Sequence, residues 1–277
     1  MRGEPGRPGT PESGHAPLDL SVVYTSMNSS RTIGRSIESV SGLARNIVVV
    51  DSGSTDGTVE ECRKAGATVR EQPWLGYARQ KQLSIDISGD SKWVLLLDSD
   101  EIVTPELARS IRRAVEADDP SIDAWYLARR YWYDGGYLRV EYPDWTLRLF
   151  RRGAAQMRDT GSPHDIVETA GKTRRLAGDL RHESWASLQD AVKRNLRYAE
   201  LTAGLAGTRG SVARIAVNGP WAFVRHYLLQ GSFADGRRGL EISLVLAMST
   251  AYKHMLRARR AAMGNGEASA GPGPGAR

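Results

Sequence analysis

The chain has 277 residues, 40% of them hydrophobic and 25% charged, which suits a sizeable folded domain with an extension and excludes a disordered body. Thirty-eight Lys/Arg against 32 Asp/Glu give a net charge of +6, which favours an anionic partner: a nucleotide diphosphate, a phosphorylated acceptor, a membrane surface or nucleic acid. The single cysteine, Cys62, excludes an internal disulfide, and no apolar run approaches the roughly 20 residues that a membrane-spanning helix needs.

Residues 1–17 are rich in Pro and Gly without the apolar core of a signal peptide, and read as a disordered tail. Leu18–Tyr24 is a short apolar strand, after which Ile33, Ile37 and Val40 recur at helical spacing. Asn46–Val50 is a continuous apolar run ending at Asp51, the pattern of a strand covered on both faces. Thr55 or Asp56 suits the cap of a helix over Thr58–Lys64; a strand at Thr68–Arg70, a helix near Tyr77–Ile87 and the strand Trp93–Leu97 follow. Pro105 opens a helix that runs through Val115. Such alternation predicts an α/β fold, with a mostly parallel sheet flanked by helices and ligands bound beyond the carboxyl ends of the strands. Asp123–Tyr133 and Thr146–Arg152 read as further strands, and the chain from Ser187 to Arg260 as mostly helical. The expected organisation is a tail (1–17), a catalytic domain (18–186), a helical extension (187–262) and a second tail (263–277).

The strongest chemical signal is Trp93-Val-Leu-Leu-Leu-Asp98-Ser-Asp100-Glu101. Residues i and i+2 of an extended chain share a face. Asp98 and Asp100 therefore offer oxygen donors on one side, as a Mg²⁺ or Mn²⁺ ion that also holds a diphosphate requires. The plainer alternative is a pair of solvated acids capping the next helix. The second signal is Val48-Val-Val-Asp51-Ser-Gly-Ser-Thr-Asp56-Gly-Thr58, in which small residues allow close backbone approach to a ligand. Asp51 is placed to accept an N–H from a base; Asp56 does likewise or caps the helix. In Arg148-Leu-Phe-Arg151-Arg152, strand alternation turns Arg148 and Arg152 towards the cleft and Arg151 outward, which makes Arg148 a phosphate or acceptor contact.

Together, "VVVDSGSTDGT", "GYARQKQL" and "WVLLLDSDE", in that order and spacing, resemble the donor half of glycosyltransferase family 2, and within it the lipopolysaccharide-core β-1,4-glucosyltransferase-like subgroup. The resemblance spans about Asp19 to Arg260 and implies a GT-A type fold and an inverting transfer from a nucleotide sugar. It also implies that Asp51 reads the base, usually uracil, that Lys81 lies near the donor phosphates, and that Asp98 and Asp100 form the metal and ribose site. Asn28 is retained in an entry loop, Thr25-Ser-Met-Asn28, that lacks the usual proline. Asp165, in His164-Asp165 where the family often has His-Glu, becomes the expected general base, with His164 orienting it; Glu168 and Asp144 are reserves. His182 reads as structural. Between Trp221 and Arg260, seven Lys/Arg interleaved with aromatics suit a helical cap with a secondary, peripheral contact to an anionic membrane; no nucleic-acid motif accompanies the charge. The implied acceptor is a glycan or glycolipid and the implied location is the cytoplasm, at the inner face of the membrane. Rival readings are a haloacid-dehalogenase-type phosphatase, which also places Asp-x-Asp after an apolar strand, and a non-catalytic nucleotide-sugar binder.

Overall fold

The computed structural model describes residues 16–159, 166–204 and 211–269. Its first part alternates as expected: β1 (Leu18–Ser26), α1 (Ile33–Glu38), β2 (Ala44–Asp51), α2 (Thr58–Lys64), β3 (Thr68–Glu71), α3 (Tyr77–Asp86), β4 (Trp93–Asp98), β5 (Glu101–Val103) and α4 (Pro105–Ala117). Strands then dominate: β6 (Ala124–Tyr133), β7 (Gly136–Tyr137), β8 (Asp144–Arg151), β9 (Gln156–Arg158), β10 (Ile166–Glu168) and β11 (Thr173–His182). Helices α5 (Leu188–Ala203), α6 (Val212–Phe223) and α7 (Arg237–Ser269) follow, with a π-helical turn (Val224–Leu229) and a 3₁₀ turn (Ser232–Asp235) between the last two.

The main sheet has the order β3-β2-β1-β4-β8-β6-β11-β5, with β7 paired to β6. β3, β2, β1 and β4 are all parallel, because each connection returns through a helix. Beyond β4 the directions mix: β8 runs antiparallel to both β4 and β6, β11 lies parallel to β6, and β5 closes antiparallel on β11. This is the helix-flanked α/β arrangement anticipated from the sequence, with its parallel part concentrated in the first four strands of the sheet order. Sequence patterning anticipates none of β7, β9, β10 and β11, nor the short strand β5 immediately after Asp100. Three residues are too few to show a period.

Pleat alternation builds two apolar layers. Val22, Tyr24, Leu95 and Leu97 face one side with Ile33, Ile37, Cys62, Leu107 and Ile111; Val23, Val48, Val94 and Leu96 face the other with Ile85 and Phe150. Burial pushes the Cys62 thiol up to about 12, so it stays protonated and inert. Contacts divide the chain into two compact units: one holds the strands and helices α1–α4, and the other holds residues 138–140 and the helices from Trp185 onward. Among the described residues no helix is long and apolar enough to cross a membrane.

Helix α4 is anchored by its first turn. Thr104 caps it, accepting from the Leu107 N–H, and donates its own hydroxyl to the Asp179 carbonyl at 2.7 Å. Gly178 makes this approach possible. It has φ +92°, beside a register shift in β11, and a Cβ there would lie 2.4 Å from the Leu107 nitrogen. Gly178→Ala should therefore cost at least about 2 kcal/mol, combining a left-handed conformation with a backbone clash. Urea denaturation of the purified variant checks this, and an unchanged midpoint would contradict it.

Candidate active site

The two chemical signals meet because β1 lies between β2 and β4. Ser26 is in register with Asp51, and Thr25 with Asp98, so both carboxylates emerge at the same end of the sheet. Asp51 is buried and fully engaged. One oxygen accepts from the Gly53 N–H (3.0 Å) and the Ser54 N–H (2.7 Å); the other accepts from the Ser26 and Ser54 hydroxyls at 2.7 and 2.6 Å. The entry loop is stitched to the same turn. Asn28, at φ +50°, accepts from the Thr55 N–H at 2.9 Å, and its own N–H donates to Ser54 Oγ at 2.8 Å. Asp56 spans the two loops, accepting from the Ser30 backbone and hydroxyl and from the Thr58 N–H at the start of α2. Slight desolvation would raise its carboxyl although it is exposed, but the bonds from Thr58 and Ser30 prevail and hold it at about 2. Of the two roles open to Asp56, the geometry displays the cap.

Asp98 sits in a ring of cations. Lys81 Nζ, reaching from α3, lies 2.5 Å from Oδ1, and Arg148, from β8, donates to Oδ2 at 2.5 Å; Arg129, from β6, stands at 3.9 Å. Burial would raise the Asp98 carboxyl, but Arg148 and Lys81 overcome it and hold the group well below the usual carboxylate range. Glu101, fully buried on β5, completes the network. It accepts from the Asp98 N–H at 2.9 Å and from Arg148 at 2.8 Å, with Arg129 at 3.4 Å. Arg129 in turn grips Asp144 through two nitrogens at 2.8 and 2.6 Å.

Asp100 faces a different partner. The β11–β5 pairing sets His182 opposite Glu101, and His182 Nε2 lies 3.3 Å from Asp100 Oδ1. The imidazole stacks on Tyr131 and is 2.7 Å from the Ser184 hydroxyl. Its place beside Asp100 depends on a pairing across some eighty residues, which no local spacing encodes. Next to it Glu183 is buried among Arg35 (2.6 Å), Arg181 (2.7 Å) and Arg31 (3.8 Å).

The structure thus brings together Asn28, Asp51, Asp56, Lys81, Asp98, Asp100 and Arg148 around the ends of β1, β2 and β4. His164 and Asp165 lie outside the described residues. Arg152 departs from the expected cleft position. It donates to the Ser91 carbonyl at 2.7 Å and to Ser88 at 3.1 Å, because antiparallel β8 carries it to the opposite end of β4. Arg151, expected to face outward, binds Asp118 at 2.6 Å and lies over the Trp93 ring. Both reserve carboxylates are committed to ion pairs, Asp144 with Arg129 and Glu168 with Arg158 at 2.8 Å. Among the described residues no group of three or more His, Cys, Asp or Glu converges as a ready-made metal cage.

The family model for glycosyl transferase family 2 matches residues 21–180. A lipopolysaccharide core biosynthesis glycosyltransferase of Rhizobium meliloti is 29% identical over 260 residues, covering 87% of this chain and 95% of that protein. An uncharacterized glycosyltransferase of Rickettsia prowazekii is 29% identical over 244 residues, covering 83% of each. Among solved structures, glucosyl-3-phosphoglycerate synthase from Mycobacterium tuberculosis, in complex with Mn²⁺ and UDP, aligns with 26% identity and a TM-score of 0.34 over 43% of this chain. This chain spans 45% of that structure's length. A mannosyltransferase from Pyrobaculum calidifontis, in complex with GDP-Man and Mn²⁺, aligns at 14% identity with a TM-score of 0.46, over 94% of this chain and 77% of that one.

Removing Arg148 would leave two carboxylates short of their main cation. Arg148→Met should destabilise the protein by about 3–5 kcal/mol at neutral pH, the usual cost of breaking a buried ion pair from one side. The sign of its pH dependence follows from the Asp98 shift. A depressed carboxylate contributes stability above its unfolded value near 3.9, and loses it as pH falls towards the folded value. The gap between wild type and variant should therefore narrow below about pH 4. Chemical denaturation at several pH values measures it; a gap that widens in acid would contradict the network.

Proposed function

The chain belongs to glycosyl transferase family 2, and from that premise we propose that it transfers a sugar from a UDP-sugar, with inversion and divalent-metal assistance, to a hydroxyl of a glycan or glycolipid. The observation that carries the proposal is the convergence of Asp51, Asp98 and Asp100 on one strand-end crevice that also contains Lys81 and Arg148. A phosphatase of the haloacid-dehalogenase type is not favoured, since the family match spans most of the strand-bearing unit. The relative from Rhizobium meliloti, matched over nearly its whole length, supports a lipopolysaccharide-core type of acceptor.

In this reading Asp51 accepts the N–H of uracil once the Ser54 hydroxyl swings aside, and Asn28 and Asp56 hold the loops that frame the base. Lys81 and Arg148 supply positive charge towards the diphosphate as it leaves, with Asp98 holding both in place. For the metal the residues divide. Both oxygens of Asp98 already meet cations, so it fits poorly as a direct ligand. Asp100 fits better, and His182 beside it would add a nitrogen ligand for Mn²⁺ rather than for Mg²⁺, which takes oxygens; neighbouring ligands of a six-coordinate ion lie roughly 3 Å apart, close to their 3.3 Å separation here, and such ions take further oxygens from phosphates. Bound there, the ion would neutralise charge developing on the leaving diphosphate. Asp165 remains our first choice for the base that takes the acceptor proton as its oxygen attacks the anomeric carbon, with His164 beside it. Both reserve carboxylates would first have to leave arginine partners.

Two tests bear on these roles. Asp165→Asn should lower transfer by about a hundred- to ten-thousand-fold with donor affinity retained, while Glu168→Gln stays near wild type. Radiolabelled transfer to the acceptor glycolipid measures both, and the opposite pattern would move the base to Glu168. Asp100→Ala should abolish the rise in melting temperature that UDP produces only when Mn²⁺ is present. If the rise persists in that variant, Asp100 is not a ligand.

A further inference from the structure

The helical unit carries an exposed apolar surface. Val217 and Trp221 on α6, Leu228 and Leu229 on the π-helical turn, Phe233 on the 3₁₀ turn and Leu244 on α7 are each more than half exposed, Leu229 most of all at 67%. On α6 the exposed residues Ala213, Ala216, Val217, Pro220 and Trp221 recur at helical spacing, so they share one face. The turns continue the apolar character through aromatic packing, with Phe223 stacked on Tyr227 and Tyr227 edge-on to Phe233. Solvent exposure of so many large apolar side chains on consecutive elements marks an interaction surface.

The charge around it identifies the partner. Residues 185–262 hold 12 Lys/Arg against 4 Asp/Glu, a net of +8, whereas the rest of the chain holds 26 against 28. The excess positive charge of the protein is therefore confined to this segment. Three of its four acids are already paired, Asp190 with Arg194, Asp235 with Arg139 and Glu241 with Arg237, and Arg225 is exposed between Trp221 and Leu228. A second copy would bring like charge against like, whereas an anionic lipid surface offers both hydrocarbon and negative charge. With no spanning helix among the described residues, the contact lies on the bilayer rather than through it.

We propose that the exposed face built from α6, the π-helical turn and the 3₁₀ turn inserts its apolar side chains into the interface of an anionic membrane. The proposal rests on this surface alone and stands or falls apart from the sugar-transfer reading. The test is co-sedimentation of the full chain with vesicles of phosphatidylcholine containing phosphatidylglycerol, against pure phosphatidylcholine. Wild type should bind the anionic vesicles at least about tenfold more strongly, with binding weakened by salt. Trp221→Ser combined with Leu229→Ser should lose at least about tenfold of that binding. Both positions are exposed, so the melting temperature should hold and confirm that the variant is folded. Wild type left in the supernatant, or binding that the double variant retains, overturns the proposal. So does a concentration-dependent dimer that the double variant abolishes, which would assign the face to a second copy.

Discussion

A single guanidinium organises the end of the sheet where Asp51 and Asp98 emerge. Arg148 is buried on β8 and bonds at once to Asp98, at the tip of β4, and to Glu101, on β5. Three acids and three bases meet within a few ångströms there: Asp98, Glu101 and Asp144 with Lys81, Arg129 and Arg148. Charges this deep are tolerated only when each is matched and hydrogen-bonded. The matching fixes where α3, β4, β5, β6 and β8 stand relative to one another. Asp98 is thereby ionised in the folded chain, and Lys81 is held with its buried ammonium against it.

Around this hub the loops are joined by small polar residues rather than by apolar packing. Ser26 and Ser54 bind Asp51, Asn28 binds the backbone of Thr55, the Ser29 N–H donates to Thr58, and Ser99 donates to Ser29. Each bond is modest, but together they hold the entry loop, the β2–α2 turn and the Asp98–Asp100 turn in one arrangement before any ligand arrives. Preformed geometry of this kind reduces the ordering cost of binding.

Most of the parallel half of the fold is legible in the sequence, because Asn46–Val50 and Trp93–Leu97 are apolar runs ending in aspartate and the helices between them keep their period. The role of Asp98 is only half legible. The pattern predicts a carboxylate at a strand tip, but the three cations that engage it come from other elements, Lys81 from the preceding α3 and Arg129 and Arg148 from β6 and β8 further along the chain. His182 is missed for the same reason: its approach to Asp100 is a product of β11 pairing with β5. Arg152 shows the limit of strand alternation. Period two gives the face of the sheet but not which end of the neighbouring strand the side chain reaches. Asp56 shows the converse, since its place just before Thr58 is a local capping signal and the structure displays it.

The central claim is that this crevice is a metal-assisted site for a uridine diphosphate sugar. Calorimetric titration of UDP into the wild-type chain, with Mn²⁺ and then with a chelator, tests it most directly, with GDP titrated in parallel. The account predicts binding with Mn²⁺ in the range of about 1 μM to 1 mM typical of enzyme substrates, loss of at least tenfold in the chelator by the metal's share of diphosphate contacts, and weaker binding of GDP. Equal affinity with and without metal, or tighter binding of GDP than of UDP, would contradict it.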